Sequence, residues 1–177
     1  MTDEQLFQIL RPHILAVSGV PLVILAAQNQ NAPKGPYASL QMRYNNSERG
    51  QANISQRNVL GEKVEIEVKP QRVMTCVAEF YRGEAKMFAE RLQQLGKRED
   101  VTWPLFKHRI SIRNVGPVSD LTSLQSSNYE QRARVEFVMW MEGSSKYELN
   151  NILGVDFELQ NEKGQKIQGG EIRLPNP

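Results

Sequence analysis

The chain has 177 residues, 40% hydrophobic and 24% charged, which excludes disorder along its whole length and suits one domain able to bury its own core. Twenty-two basic residues face twenty acidic ones, for a formal charge of +2. The signs are interleaved, as in GEKVEIEVKPQR, which argues against the basic stripe of a dedicated nucleic-acid binder.

Cys76 is the single cysteine, so no intrachain disulfide can form, and a reducing compartment is expected. The start, MTDEQLFQIL, is acidic where a secretory leader would be basic. The longest apolar stretch, Ile14 to Ala27, is interrupted by Ser18, Gly19 and Pro21 and is too short to span a bilayer. A soluble protein made in the cytoplasm, with no membrane partner, is the expectation.

Thr2 and Gln5 form a capping-box pattern, and Leu6, Ile9, Leu10, Ile14 and Val17 recur at helical spacing. They predict a helix from Asp3 to Ser18, kinked or split at Pro12 and ended by Gly19 and Pro21. Leu22 to Ala27 reads as a short buried strand, NQNAPKGPY as a loop, and Tyr37 to Tyr44 as a half-buried strand. Asn45 to Gln56 is polar and contains Gly50, which predicts a mobile loop that orders only on assembly.

Val64, Ile66 and Val68 alternate with charged residues, Pro70 breaks the ladder, and Val73 to Tyr81 resumes it. The period then changes. Ala85, Phe88, Ala89, Leu92 and Leu95 form one helical stripe, with Gly96 expected to stop the helix. Arg109 to Val115 reads as a strand, SDLTSLQSSNYE as a polar crossing carrying one helical turn, and Arg132 to Glu142 as the clearest strand of all. Val155, Phe157 and Leu159, the turn NEKG, and Gln165 to Leu174 form a C-terminal hairpin, polar around Glu162 to Gly170 and expected, like the earlier loop, to order on assembly. The order helix, strands, helix, strands predicts an α+β fold: a mainly antiparallel sheet flanked by two principal helices. Residues 1–145 should form the main domain, with 146–177 as a hairpin extension of it.

No catalytic, cofactor-binding or metal site is legible. His13 and His108 lie in no metal-ligand spacing. Cys76 alternates with Met74 and Ala78, as a core residue would. No phosphate-cradling glycine loop or nucleophile elbow occurs. Glu65 and Glu67 project from one strand face, where carboxylates are normally solvated or paired across strands. Trp140, on the more polar face of its strand, needs a cover, either a helix or a partner.

Three blocks taken in order carry a resemblance: NQNAPKGPYASLQMRY, VAEFYRGEAKMFAERL and VGPVSDLTSLQSSNYEQRARVEFVMW. Together, over Thr2 to Met141, they resemble the phage neck terminator family, with one departure: Arg82 intervenes between the aromatic pair Phe80–Tyr81 and Gly83. The resemblance implies a virion structural protein, assembled in the host cytoplasm, with no active site and no cofactor. It further implies a homo-oligomeric ring, commonly of six copies, at the head-proximal end of the tail. Such a ring caps the tail tube protein and meets the neck or connector proteins, while DNA passes through without specific binding.

A closed ring needs a heterologous interface. The candidates are the rigid loop of Pro33 and Pro36 with Tyr37, the oriented charges Glu130, Arg132 and Arg134, and the apolar area of Trp140. The alternative is a nucleic-acid-binding module using Arg43, Arg49, Arg57 and Lys63, or another phage accessory role.

Overall fold

A computed structural model of the chain describes residues 1–27, 29, 31–58, 63–125, 128–150 and 154–173. The described residues form three α-helices, one short 3-10 turn and twelve strands, an α+β fold with mostly antiparallel sheets. They divide into two compact units: Met1–Gln51 with Pro70–Gly143, and Ala52–Lys69 with Ser144–Pro177.

The first unit opens with α1 (Asp3–Ser18). The capping box forms: Gln5 N–H donates to Thr2 Oγ1, and Thr2 N–H donates to the Gln5 side chain. Pro12 does not split the helix. Its missing N–H strands the carbonyl of Gln8, but both residues are exposed, so water can satisfy that oxygen. Gly19 closes the helix at φ +76°, donating its N–H to the Leu15 carbonyl. The buried Ser18 hydroxyl is satisfied by the Ile14 carbonyl, 2.7 Å away.

Strands β1 (Val23–Leu25), β2 (Tyr37–Glu48), β5 (Gln71–Tyr81), β6 (Ile110–Asp120) and β9 (Arg132–Glu142) build one sheet in the order β1-β2-β5-β9-β6. Only β1 and β2 run parallel. Central β5 pairs with β9 without a break from Gln71↔Glu142 to Tyr81↔Arg132. Alternation along these strands sends Leu40, Met74, Cys76, Phe80, Phe137 and Met139 to one face, where they are buried. Helix α1 covers that face over β1 and β2, α2 (Ala85–Leu92) over β5, β9 and β6, and α3 (Glu99–Lys107) over β6.

Four expectations need correction. Helix α2 ends a turn before Gly96, and a 3-10 turn (Leu95–Lys97) follows it. There, Gly96 lies so close to β6 that an added Cβ would sit 3.0 Å from Ile112 Cγ2. A third helix, α3, joins the two expected; it buries only Val101 and Leu105 and carries Pro104, so its periodic signal is faint. The polar stretch Asn45 to Gln56 is not a loop. Strand β2 runs on to Glu48 by pairing Asn45 to Glu48 with Thr75 to Arg72, and β3 (Asn53–Asn58) begins after four intervening residues. Cross-strand pairing overrides the weak strand propensity of Asn and Ser. The polar crossing holds no helical turn among its described residues. It forms the short antiparallel pair β7 (Ser123–Gln125) and β8 (Asn128–Glu130).

The second unit contains a sheet of β10 (Ser145–Asn150), β4 (Lys63–Lys69) and β3, in that order. Lys63–Glu148 at 2.8 Å and Lys146–Glu65 at 3.1 Å tie β4 to β10. Glu67 is held below the usual carboxylate range by hydrogen bonds from the Ser144 hydroxyl and Lys69. The expected hairpin is formed by β11 (Gly154–Gln160) and β12 (Lys166–Arg173). Its turn is made by Gly164 at φ +74° and by Asn161, whose side-chain oxygen accepts from the N–H groups of Lys163 and Gln165.

Candidate subunit interface on the helix-free sheet face

Because side chains alternate along a strand, the residues between the core positions share the opposite face of the five-stranded sheet. No helix covers this face among the described residues. Tyr37, Arg132, Arg134 and Trp140 all project there, since Tyr37 pairs with Tyr81, Tyr81 with Arg132, Glu79 with Arg134 and Val73 with Trp140.

At one end of this face the three sequence blocks meet. The Tyr37 and Tyr81 rings stack with centroids 4.7 Å apart and planes 7° from parallel. Arg82, at φ +63°, donates from Nη1 to the Pro33 carbonyl and from Nε to Glu130 at 3.0 Å. Its backbone N–H donates to the Gln131 carbonyl at 2.8 Å. Next to it Gly83, at φ +57°, lies against Pro36: a Cβ there would come within 2.9 Å of the proline Cγ. Arg82 therefore clamps the proline loop, the end of β5 and the start of β9 together. The departure from the family pattern is the residue that ties the blocks into one place.

Beside the clamp, Arg132 forms an ion pair with Glu79 at 3.2 Å, donates to the Tyr81 hydroxyl at 3.3 Å, and lies over the Tyr81 ring at 4.8 Å. The Tyr81 hydroxyl donates to Glu79 at 2.5 Å. Burial first, and then that hydrogen bond to an anion, raise the Tyr81 phenol above its ordinary value. Burial likewise raises Tyr37. Arg134 pairs with Glu136 along its own strand at 2.6 Å and lies 5.3 Å from the Tyr44 ring. An open cavity of about 320 Å³ adjoins this cluster, lined by Leu25, Ala27, Pro33, Gln41 and Glu79 among others.

The seven candidate positions thus fall in two places. Pro33, Pro36, Tyr37, Glu130 and Arg132 meet at the clamp; Arg134 lies next along β9, and Trp140 stands towards its far end. Among the described residues no helix covers Trp140. Arg49 and Arg113 lie over its ring, their guanidinium carbons 4.1 and 5.4 Å from the ring centre. Sequence reasoning did not include Glu79, Tyr81, Arg82 and Gly83 among the site residues. The signal was present in the YRG step that ends a strand, since two consecutive left-handed residues need a glycine.

The Gly83 contact makes a prediction. Gly83→Ala should cost about 1–3 kcal/mol, because a side chain is strained at this φ and meets Pro36. Gly35→Ala, where an added Cβ meets nothing within 4 Å, should change stability by less than about 0.5 kcal/mol. Thermal melts of the two variants check this; equal shifts would contradict the close approach.

The chemistry-bearing residues elsewhere have structural surroundings. Cys76 is fully buried, and burial pushes its thiol up to about 11. At pH 8 only about 0.1% would be thiolate, so a thiol reagent should leave Cys76 unmodified in the folded protein and label it once denaturant is added. Rapid labelling without denaturant would contradict its burial. His13 lies near Asp100 and His108, and burial lowers its pKa. Among the described residues no group of three or more His, Cys, Asp and Glu could hold a metal ion. No helix of the described residues is long and apolar enough to cross a membrane.

The family model for phage neck terminator proteins matches residues 4–164. The chain belongs to the phage neck terminator family. A search of curated proteins finds no match. Membership makes this a structural component of the phage virion, acting among tail and neck proteins. The match takes in all three motif blocks and the first arm of the C-terminal hairpin, which the sequence resemblance had not reached. In this neck terminator, the meeting of the blocks on a helix-free sheet face gives the candidate interface its location.

Proposed function

We propose that this neck terminator forms a closed ring at the head-proximal end of the tail, where it caps the tail tube and joins it to the head connector. The helix-free sheet face is the seam, presenting the Pro33–Tyr37 loop with Glu130, Arg132 and Arg134 to a different surface of the next subunit. The reading is supported by the family match over residues 4–164, together with one helix-free sheet face on which the family-like blocks meet. Two of the four cations considered for nucleic acid favour it further. Arg43 is paired with Asp3 at 2.7 Å and Lys63 with Glu148 at 2.8 Å, so neither is a free phosphate ligand.

Negative-stain images of the purified protein test it. Closed rings of uniform copy number with a central channel are the expected result. A monomer at every concentration tried, or open filaments, would contradict it.

A further inference from the structure

Trp140 sits in a cluster that its own chain leaves incomplete. On β6, Ile112 pairs with Met139 and Asn114 with Val138, so Arg113 is the extra residue of a bulge. A bulge re-aims the side chain it carries, and Arg113 lies over the Trp140 ring. Arg49, just beyond β2, is fixed by its N–H to the Gln71 carbonyl at 2.8 Å and covers the same ring. Both arginines are exposed, and neither has a carboxylate within ion-pair distance among the described residues. The other arginines in and next to this sheet are different: Arg132, Arg134, Arg72, Arg82 and Arg109 each hold a glutamate, and Arg43 holds an aspartate. The Trp140 indole N–H is also shut off from solvent with no acceptor. Buried donors in folded proteins are almost always satisfied.

Two guanidinium groups and one N–H donor in one cluster call for an anionic group that only accepts hydrogen bonds. We propose that Arg49, Arg113 and Trp140 form a docking site for a carboxylate-bearing segment of a partner protein. A guanidinium stacked on an indole keeps its N–H edge free for the bidentate geometry a carboxylate offers. DNA fits less well. A backbone-binding surface carries a run of unpaired cations, whereas here the excess is confined to two arginines and Glu136 and Glu142 lie on the same strand. The proposal rests on reading this face as a protein–protein surface, but not on the ring.

The test uses the full chain with Trp103→Phe, so that Trp140 alone reports by fluorescence. A hexaglutamate peptide and a short DNA duplex are titrated separately at about 0.1 M salt, where distant charges are screened. The peptide should give a saturable change, weakened about tenfold or more in Arg49→Ala/Arg113→Ala and unaltered in Arg57→Ala. Circular dichroism verifies that each variant is folded. No saturable change, equal binding by the double variant, or tighter binding of the duplex through the same arginines would overturn the proposal. Light scattering on the same samples reads assembly separately. Absence of rings with peptide binding intact would count against the ring alone.

Discussion

Replacing Phe80 with alanine should lower the free energy of unfolding by about 3–5 kcal/mol. Phe80 is fully buried on β5, the middle strand of the larger sheet, with β2 and β9 on either side. Its ring lies 6.4 Å from that of Phe88, tilted by 38°, so it also seats α2 on the sheet. A strand paired on both edges cannot move in to fill the space, and most of the cavity penalty should remain. Against a total stability of roughly 5–15 kcal/mol, one such change is a large fraction. Phe106→Ala is the control: its ring is 68% exposed, and the loss should stay below about 0.5 kcal/mol. Urea unfolding of both variants decides it. Equal midpoint shifts would mean that the sheet–helix core is not where the stability lies.

The second large effect is expected on assembly. Arg132→Glu should leave the chain folded and reduce rings to free subunits. Within the chain, the Arg132–Glu79 pair is partly exposed, so its loss costs about 0–1 kcal/mol, the contact with Tyr81 adds about 0.5–1 kcal/mol, and the reversed charge beside Glu79 adds a like-charge repulsion of up to about 1 kcal/mol. A domain of ordinary stability survives that. A seam does not, because the reversed charge recurs at every subunit boundary and like charges across an interface are strongly disfavoured. Light scattering alongside a thermal melt separates the effects. A folded variant that still forms full-size rings would remove Arg132 from the seam; an unfolded monomer would make its role structural. Combining Arg132→Glu with Glu79→Arg restores the intrachain pair. Recovery of the melt without recovery of rings would assign the charge to the interface.

Much of the fold was legible because it rests on local rules. The capping box of Thr2 and Gln5, the stripe of α1, the Gly19 stop and the alternation of Arg132 to Glu142 each follow from spacing within a few residues. The inward position of Cys76 and the outward, paired carboxylates of β4 were legible for the same reason. Segments whose structure is imposed from a distance were not. Asn45 to Glu48 are strand because β5 offers them partners, and β10 is strand because β4 does. Helix α3 carries too few buried positions to announce itself.

By itself, then, the sequence determined an α+β protein, its principal helices and strands, and the family-like blocks, because periodicity and turn chemistry are encoded locally. It also placed Tyr37, Arg132, Arg134 and Trp140 as polar-face residues. Only the tertiary structure decided that they share one helix-free face, since that depends on the register of β2, β5 and β9, and register is a pairing between distant segments. The same holds for the clamp. Arg82 and Glu130 are 48 positions apart, and Gly83 meets Pro36 across a similar gap, so no spacing rule connects them. Their meeting is set by which strands lie side by side, and that is decided by burying the core on the other face of the sheet.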